Sequence, residues 1–549
     1  MKAKHLWFLG FAAVFAALAG FVFWGTWSLD YVPVMPDCPN THSPYWFTGL
    51  WRGILTSGKF VPDDLKGFVA SPYFWQELQY ALALFCAALG MAYYCRGRGL
   101  SRLASYGAGL LLAFCGYWCT LFSAGHLGWF KWMTYGVFAF GLADRAVRKG
   151  KLKNWLLLGA CAAWGSFYQT DLWLLFSVFT GFYFLWCCVR ERKFPWKGAL
   201  IAAAVFFAVA APSIRSAFVN DLAGRDKQIA EGQTVAGGDK MDDAEKRWIF
   251  TTNWSLPPNE VVEFFYPRVN GDTSCPFTLS IGLKNGNGVK PYAGALGRPK
   301  DAPQGNYRQH SLYVGLITCL LALIGCVSGF RFQVSGSKDT PSSCTSDIVF
   351  FAVAAVVFCL FSFGRYCEPV YRCVYALPFG DYLRAPVKWH HLTEFSLCVL
   401  AGFGIEALAF LLSRVSGLKS FALPIVGGVV LLGAVDLARV DHLFCAPVSV
   451  AEARRTGSTM QMTVLQREQF QNPQVAEMVR RKQVVSVANY LGNPNYYLVG
   501  VLNRCGQPKP LEKGSLNPIV LVLLGLSVVV SLGVTIYCIT IAVRPRNVV

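Results

Sequence analysis

The sequence predicts an all-α polytopic membrane protein, and three observations lead to this fold class. Of the 549 residues, 54% are hydrophobic and 15% are aromatic, and the mean hydropathy is positive. The apolar residues come in uninterrupted runs of about 20, the length that an α-helix needs to cross a bilayer. These runs do not alternate with polar residues, as the strands of a membrane β-barrel would. Because hydrocarbon offers backbone groups no hydrogen-bond partner, each run is predicted to be helical.

About twelve helices are predicted from window length and flanking charge. The first apolar run, residues 6–27, is longer than a signal-peptide core and no small-residue cleavage site follows it, so it is predicted to be a true span. The predicted helices start near Leu6, Phe74, Leu103, Trp129, Trp155, Leu172, Ala199, Ser311, Ile348, Leu392, Phe421 and Pro518.

Lys and Arg residues cluster at every second boundary between predicted helices. By the positive-inside rule these boundaries are cytoplasmic, which places both termini in the cytoplasm and the protein in the cytoplasmic (inner) membrane. The net charge of +19 is explained by this bias, so it does not indicate nucleic-acid binding. The basic residues are Lys2, Lys4, Arg96, Arg98, Arg102, Arg145, Arg148, Lys149, Lys151, Lys153, Arg190, Arg192, Lys193, Lys197, Arg331, Lys338, Arg414, Lys419, Arg544 and Arg546.

The long polar loops all fall on the predicted outer face, where function is expected. A transmembrane domain is predicted over residues 1–437, with outer loops at 28–73, 218–310 and 365–391. Residues 438–514 are predicted to form a small extracytoplasmic α+β segment, and 515–549 the last helix and a cytoplasmic tail.

Six cysteines lie on the predicted outer side without the spacing of a metal site, which favours disulfides. Cys445 and Cys505, in one loop, are the preferred pair. The six are Cys38, Cys275, Cys367, Cys373, Cys445 and Cys505.

The first candidate functional residues lie at predicted outer turns. Asp30, after the first helix, suits a general base or a cation ligand, and an ordinary solvated loop acid explains it equally well. In SAGHLGWFKW, His126 and Lys131 suit an anionic group, although a helix-end histidine and a snorkelling lysine need no function. In FYQTDLWLLF, Asp171 lies close to lipid, where an acid needs a partner or water.

Two outer loops carry further candidates. In the loop with TTNWSLPPNE, Trp254 and Glu260 suggest an aromatic turn that leads into a short helix, which suits sugar stacking or simply rests on the membrane interface. In RYCEPVYRCVYALPFGDYLRAPVKWHHL, an amphipathic helix is expected before Pro378. Arg384 and Lys388, one helical turn apart, would share a phosphate beside His391, whereas snorkelling explains Lys388 better than Arg384.

The order of these motifs over about residues 1–440 resembles the YfhO family of bacterial membrane proteins. A stretch of the type PLYRLxYxLPxxxxxRxPxKxxH carries the resemblance. It is matched by Val370, Tyr371, Arg372, Tyr375, Leu377, Pro378, Arg384, Pro386, Lys388 and His391. The family is similar to the GT-C glycosyltransferases, so the resemblance implies a GT-C-like fold with the acid of the first outer loop, here Asp30, as the catalytic residue. The loop reads SLDYVP where a GD or DD pair is usual.

The resemblance implies transfer of a sugar from a polyprenyl phosphate to an envelope glycopolymer or glycolipid on the outer face. Membrane lipid is the other expected partner. No cofactor is predicted, and a divalent metal is compatible with the sequence although no acidic pair stands out. Two other classes stay open. One is a multi-span lipid or polysaccharide transporter or flippase. The other is a non-catalytic envelope-assembly factor.

Overall fold

The computed structural model describes residues 3–24, 31–32, 72–124, 126–167, 170–216, 242–270, 310–334, 342–377, 380–445 and 448–449. The regular secondary structure in this part of the chain is helical apart from one two-residue strand pair. The helices are α1 (Ala3–Val22), α2 (Pro72–Arg98), α3 (Arg102–Ala113), α4 (Gly116–Ala124), α5 (Leu127–Lys149), α6 (Leu152–Trp164), α7 (Thr170–Arg190), α8 (Trp196–Ser216), α9 (Asp243–Thr252), α10 (Leu316–Val334), α11 (Ser342–Ser362), α12 (Glu368–Tyr375), α13 (His390–Arg414) and α14 (Ala422–Cys445).

The structure supports a multi-pass membrane protein. In the described part, six helices are long and apolar enough to cross a membrane: α1, α2, α7, α11, α13 and α14. A seventh span is formed if α3 and α4, which meet at a bend of 47°, are counted as one. Helices lie at or within a few residues of each predicted start from Leu6 to Phe421. The last predicted helix, near Pro518, lies outside the described residues, and twelve spans remain a prediction.

Local sequence sets several of the helix boundaries. The Ser101 hydroxyl accepts the Ala104 N–H at 3.2 Å and so caps the start of α3. Helix α5 ends at Gly150, whose φ of 61° is left-handed and whose N–H bonds to the Ala146 carbonyl.

Successive long helices run antiparallel, so their ends alternate between two ends of the bundle. Tight packing needs small residues where helices cross: a Cβ on Gly404 of α13 would lie 1.8 Å from the Leu321 carbonyl oxygen of α10. We call the end of the bundle where α2, α5 and α7 finish the arginine end. The end where α5 and α13 begin is the histidine end. In α5 the two ends, marked by Trp129 and Asp144, lie about 22 Å apart at 1.5 Å per residue.

The arginine end is held by buried ion pairs between helices. Asp144 of α5 accepts from Arg98 of α2 at 3.0 Å and from Arg190 of α7 at 2.6 Å, and it also pairs with Arg148. Asp347 of α11 pairs with Arg98 at 2.5 Å and with Arg190. The side chains of both acids are at most 1% exposed. Four helices are therefore joined at one buried point.

The strand pair lies beside the histidine end. Tyr31–Val32 (β1) pairs antiparallel with Val448–Ser449 (β2), just after α14. Helix α14 continues through residue 438 to Cys445, so the start of the predicted 438–514 segment is helical and its remainder beyond 449 lies outside the described residues. Cys505 also lies outside them, and its pairing with the buried Cys445 remains a prediction.

Candidate functional site

Four of the seven histidines of the chain meet at the histidine end. Their centre is Tyr117 of α4, whose ring stacks on His310 at 3.7 Å and on His391 at 3.8 Å between centroids. Two rings cannot share one face at this distance, so one imidazole covers each face of the tyrosine. The stack joins α4, α13 and the segment before α10 through groups that can carry protons.

A buried carboxylate lies next to this stack. Glu394 Oε1 accepts the Tyr117 N–H at 3.0 Å and lies 3.3 Å from His390 Nε2. Both Glu394 and His390 are 0% exposed. The Tyr117 N–H is one of the backbone donors at the start of α4 that have no partner within the helix, so Glu394 satisfies it where the α3–α4 span is broken. Within the described part, Glu394 Oε2 and His390 Nδ1 have no hydrogen-bond partner.

Three of the residues predicted from sequence lie around Trp129, which is in the first turn of α5. Its ring lies 4.8 Å from the His391 ring and 5.3 Å from the His126 ring, and Lys388 Nζ lies 5.7 Å from its centroid. Lys388 is half-buried beside this ring. His126, Lys388 and His391 therefore belong to one neighbourhood.

The Arg384 guanidinium contacts two aromatic rings, Phe250 in α9 and Trp254 in the loop that follows it. Its guanidinium carbon lies 4.4 Å from the Trp254 ring centroid and 5.1 Å from that of Phe250. The Val387 N–H bonds to the Trp254 carbonyl at 3.1 Å, which fixes one loop on the other. Trp254 and Ala385 both have left-handed backbones, with φ of 58° and 65°. Such conformations cost about 1–2 kcal/mol each for residues with a Cβ, and they cluster at binding and catalytic sites.

Arg365 fixes the loop that carries Trp254. Its side chain donates to the carbonyls of Thr252 at 3.1 Å and Ile249 at 3.2 Å, which are the last carbonyls of α9. Burial lowers the pKa of Arg365, although a guanidinium stays protonated in proteins. Gly364 permits this contact, because its φ is +50° and a Cβ there would lie 2.1 Å from Ser255 Oγ. The position of Arg384 thus depends on a rigid support.

One sequence expectation is corrected by this geometry. Arg384 and Lys388 do not share a helical turn, because Ala385 is left-handed and only Pro386–Trp389 forms a 3₁₀ helix. The two cations instead contact different rings, Trp254 and Trp129.

The other expected residues have varied placements. The amphipathic helix is present as α12, and the short helix after Trp254 is the 3₁₀ helix Pro258–Phe264. Glu260 in this 3₁₀ helix is 1% exposed, so its carboxylate is buried. Asp30 and the side chains of Lys131 and Asp171 lie outside the described residues.

The structure adds residues that sequence reasoning missed, among them His310, Tyr117, Trp129 and Asp441. Asp441, near the end of α14, is 0% exposed. It lies beside the Cys119 thiol, but neither carboxylate oxygen has a hydrogen-bond partner of ordinary geometry among the described residues. Sequence reasoning missed Asp441 because it assigned residue 441 to the extracytoplasmic segment 438–514, whereas the helix continues to Cys445.

Comparison with known proteins gives no match: no family model, no curated protein sequence and no solved structure is significantly similar to this chain. Among the described residues, no group of three or more His, Cys, Asp or Glu side chains is arranged to hold a metal ion. The residues of the histidine end therefore provide the main indication of function.

Proposed function

We propose that the protein is a membrane glycosyltransferase that moves a sugar from a polyprenyl-phosphate donor to a cell-envelope acceptor on the outer face of the cytoplasmic membrane. One observation carries the proposal: the half-buried guanidinium of Arg384 is held by Trp254 and Phe250 on a strained, well-supported backbone. A rigid cation beside aromatic rings suits a ligand that joins a phosphate to a sugar. The guanidinium binds the phosphate oxygens as a fork, and a ring can stack on the apolar face of a pyranose.

In the proposed reaction, an acceptor hydroxyl attacks the anomeric carbon of the donor sugar. The bond between that carbon and the phosphate oxygen breaks, and the lipid phosphate leaves with the electron pair. Negative charge builds on this phosphate, so preorganised cations at Arg384 and Lys388 lower the barrier. The hydroxyl proton passes to Asp30. The pairing of Tyr31 with Ser449 supports this role, because it lies directly after Asp30 in sequence and beside the histidine end.

The buried groups have supporting roles in this proposal. His391 and His126 pack on Trp129, which sets the position of the ring beneath Lys388. Glu394 ties α13 to the start of α4 through the Tyr117 N–H. The segment that carries the cations therefore leads directly into a helix that is fixed to α4, which keeps the phosphate site in place during the transfer.

The test is sugar transfer from a polyprenyl-phosphate donor in reconstituted membranes, measured together with donor binding. Arg384→Ala should lower transfer by about 100-fold or more and weaken donor binding, because a positioned charge is removed from the departing phosphate. Arg384→Lys should recover only part of the loss, since an ammonium lacks the fork of parallel donors.

Arg372→Ala is the matched control. Arg372 also lies over a ring, at 3.9 Å from Trp248, and pairs with Glu368, but both charged side chains are about half exposed. Its removal should leave transfer near the native rate. Asp30→Asn should abolish turnover with donor binding nearly intact. Near-native transfer by Asp30→Asn, or equal losses for Arg372→Ala and Arg384→Ala, would contradict the mechanism.

A transporter or flippase is the second candidate, and the broken span favours it. Transporters use discontinuous helices with helix ends near their substrate sites, and α3 and α4 meet at 47° with Glu394 at the start of α4. The same vesicles separate the two functions. A transporter would move the labelled donor across the bilayer with no change in its sugar, whereas the transferase forms a labelled acceptor.

A further inference from the structure

A surface cavity of about 460 Å³ lies between α1, α3 and α14. Its walls are almost entirely apolar, and Tyr106 supplies the hydroxyl in the lining. Leu6 and Leu431 on its edges are 57% and 44% exposed, so the surface around it is apolar as well. On helices that span a membrane, such a surface faces lipid. The cavity is therefore open to the hydrocarbon of the bilayer.

Glycines create the space. A Cβ on Gly10 of α1 would meet no heavy atom within 4 Å, and one on Gly427 of α14 would meet only Leu103 Cδ1, at 3.9 Å. Helix pairs in membranes usually use glycine to bring backbones together. Here two glycines face open space, so they widen the gap between helices.

The cavity lies toward the arginine end. Its lining comes from the N-terminal halves of α1 and α14 and from Leu103 to Leu110 of α3, and all three helices begin at that end. Arg102 directly precedes the lining residue Leu103, and both Arg102 and Arg96 are near enough to the Tyr106 hydroxyl to act on it electrostatically. The nearby Glu406 carboxylate accepts the Ser101 N–H at 2.7 Å. Among the described residues named here, two arginines and one glutamate lie near the opening of the cavity, so the opening carries a net positive charge.

We propose that this cavity binds one acyl chain of an anionic phospholipid, with the lipid phosphate at Arg102, Arg96 and the Tyr106 hydroxyl. The apolar walls select a lipid chain, and the positive mouth selects a negatively charged headgroup, as basic pockets between transmembrane helices do. The site is at the opposite end of the bundle from the proposed transfer site. It is therefore a separate lipid site, and its test is independent of the transferase proposal.

The experiment fills the cavity and measures lipid retention. The full-length protein is purified in detergent, incubated with phosphatidylglycerol or phosphatidylcholine, and examined by native mass spectrometry. Gly10→Leu and Gly427→Leu should each lower bound phosphatidylglycerol by about 10-fold, since a Cβ at either position meets no clash and the new side chain takes up space that the acyl chain would fill.

Gly20→Leu and Gly428→Leu are matched controls on the same two helices. A Cβ at either position also meets nothing within 4 Å, but neither residue lines the cavity. They share the gain in helix propensity that any glycine replacement brings, so they should retain as much lipid as the native protein.

The headgroup is tested separately. Arg102→Gln should reduce the preference for phosphatidylglycerol over phosphatidylcholine several-fold, whereas Arg414→Gln, an exposed arginine at the same end, should not. Equal retention by the filled variants and the controls would overturn the proposal. The proposal would also be overturned if the native protein retained no lipid and Gly10→Leu changed its oligomeric state or released a protected segment of its own chain. Either result would mean that a second copy of the protein or a segment of its own chain fills the cavity.

Discussion

The two ends of the bundle both bury ionisable groups, but they satisfy them differently. At the arginine end, Asp144 and Asp347 each contact two or more arginines, so their charges are paired. At the histidine end, among the residues that the structure describes, Glu394 has one oxygen and Asp441 two without a hydrogen-bond partner of ordinary geometry, and only the weakly donating thiols of Cys115 and Cys119 lie beside them. The first end has the features of a structural clamp, and the second those of a site.

The difference has an energetic meaning. A buried polar group without a partner costs about 1–3 kcal/mol, and a left-handed residue such as Ala385 adds to that cost. Natural proteins keep such costs mainly where function needs them. The paired arginine end shows that this fold is able to satisfy buried charges. The buried groups of the histidine end that lack hydrogen-bond partners therefore indicate a functional role.

The largest effect is expected from Asp144→Asn. The substitution leaves Arg98, Arg148 and Arg190 without a shared counter-charge, and breaking a buried ion pair costs about 3–5 kcal/mol. We expect a strong decrease in thermal stability, or loss of folded protein, measured by unfolding of the purified protein in detergent. The control is Glu191→Gln, because Glu191 also pairs with Arg190 but its side chain is 25% exposed. If both variants unfolded at the same temperature, the ion-pair cluster would not be a clamp.

Replacement of an aspartate by asparagine at the histidine end should have a different effect on stability. Asp441→Asn removes a buried acid that has no ordinary hydrogen-bond partner in the described part, so stability should stay the same or rise by up to about 1 kcal/mol. Unfolding in the same detergent provides the measurement. A loss as large as that of Asp144→Asn would show that Asp441 has a structural partner, and the contrast between the two ends would fail. A stable variant that lost transfer or transport would give Asp441 a functional role.

Sequence alone predicted the helices well because each depends on local composition. The apolar runs and their flanking charges located the starts from Leu6 to Phe421 to within a few residues. The sequence did not predict which charged residues pair with each other across different helices. Arg98, Arg148 and Arg190 were interpreted only as loop charges that set topology, yet they are partners of acids on other helices. The rule that an acid inside a span needs a partner would have identified Asp144 as a candidate, whereas Asp347 precedes the predicted start at Ile348 and lies within a helix that begins at Ser342.

The candidate site shows the same limit. The sequence selected His126, Lys388 and His391 separately, and only the fold places them around Trp129. His310 was missed because it is far in sequence from every motif. The rarity of histidine was the available signal, since the chain has only seven.

The smallest effect, Ala385→Gly, tests whether the strain near Arg384 is real. Glycine adopts the φ of 65° without a Cβ clash, although it adds entropy to the unfolded chain, so the net gain in stability should be up to about 1 kcal/mol. The looser backbone should hold Arg384 less firmly against Trp254, and transfer should fall a few-fold. Unfolding and sugar transfer are measured on the same preparation.

Ala376→Gly is the control, because Ala376 has an ordinary φ of −75° and its replacement should cost about 0.5–1 kcal/mol. Equal destabilisation by both glycines would mean that Ala385 stores no strain, and the histidine end would then differ from the arginine end in its buried charges alone.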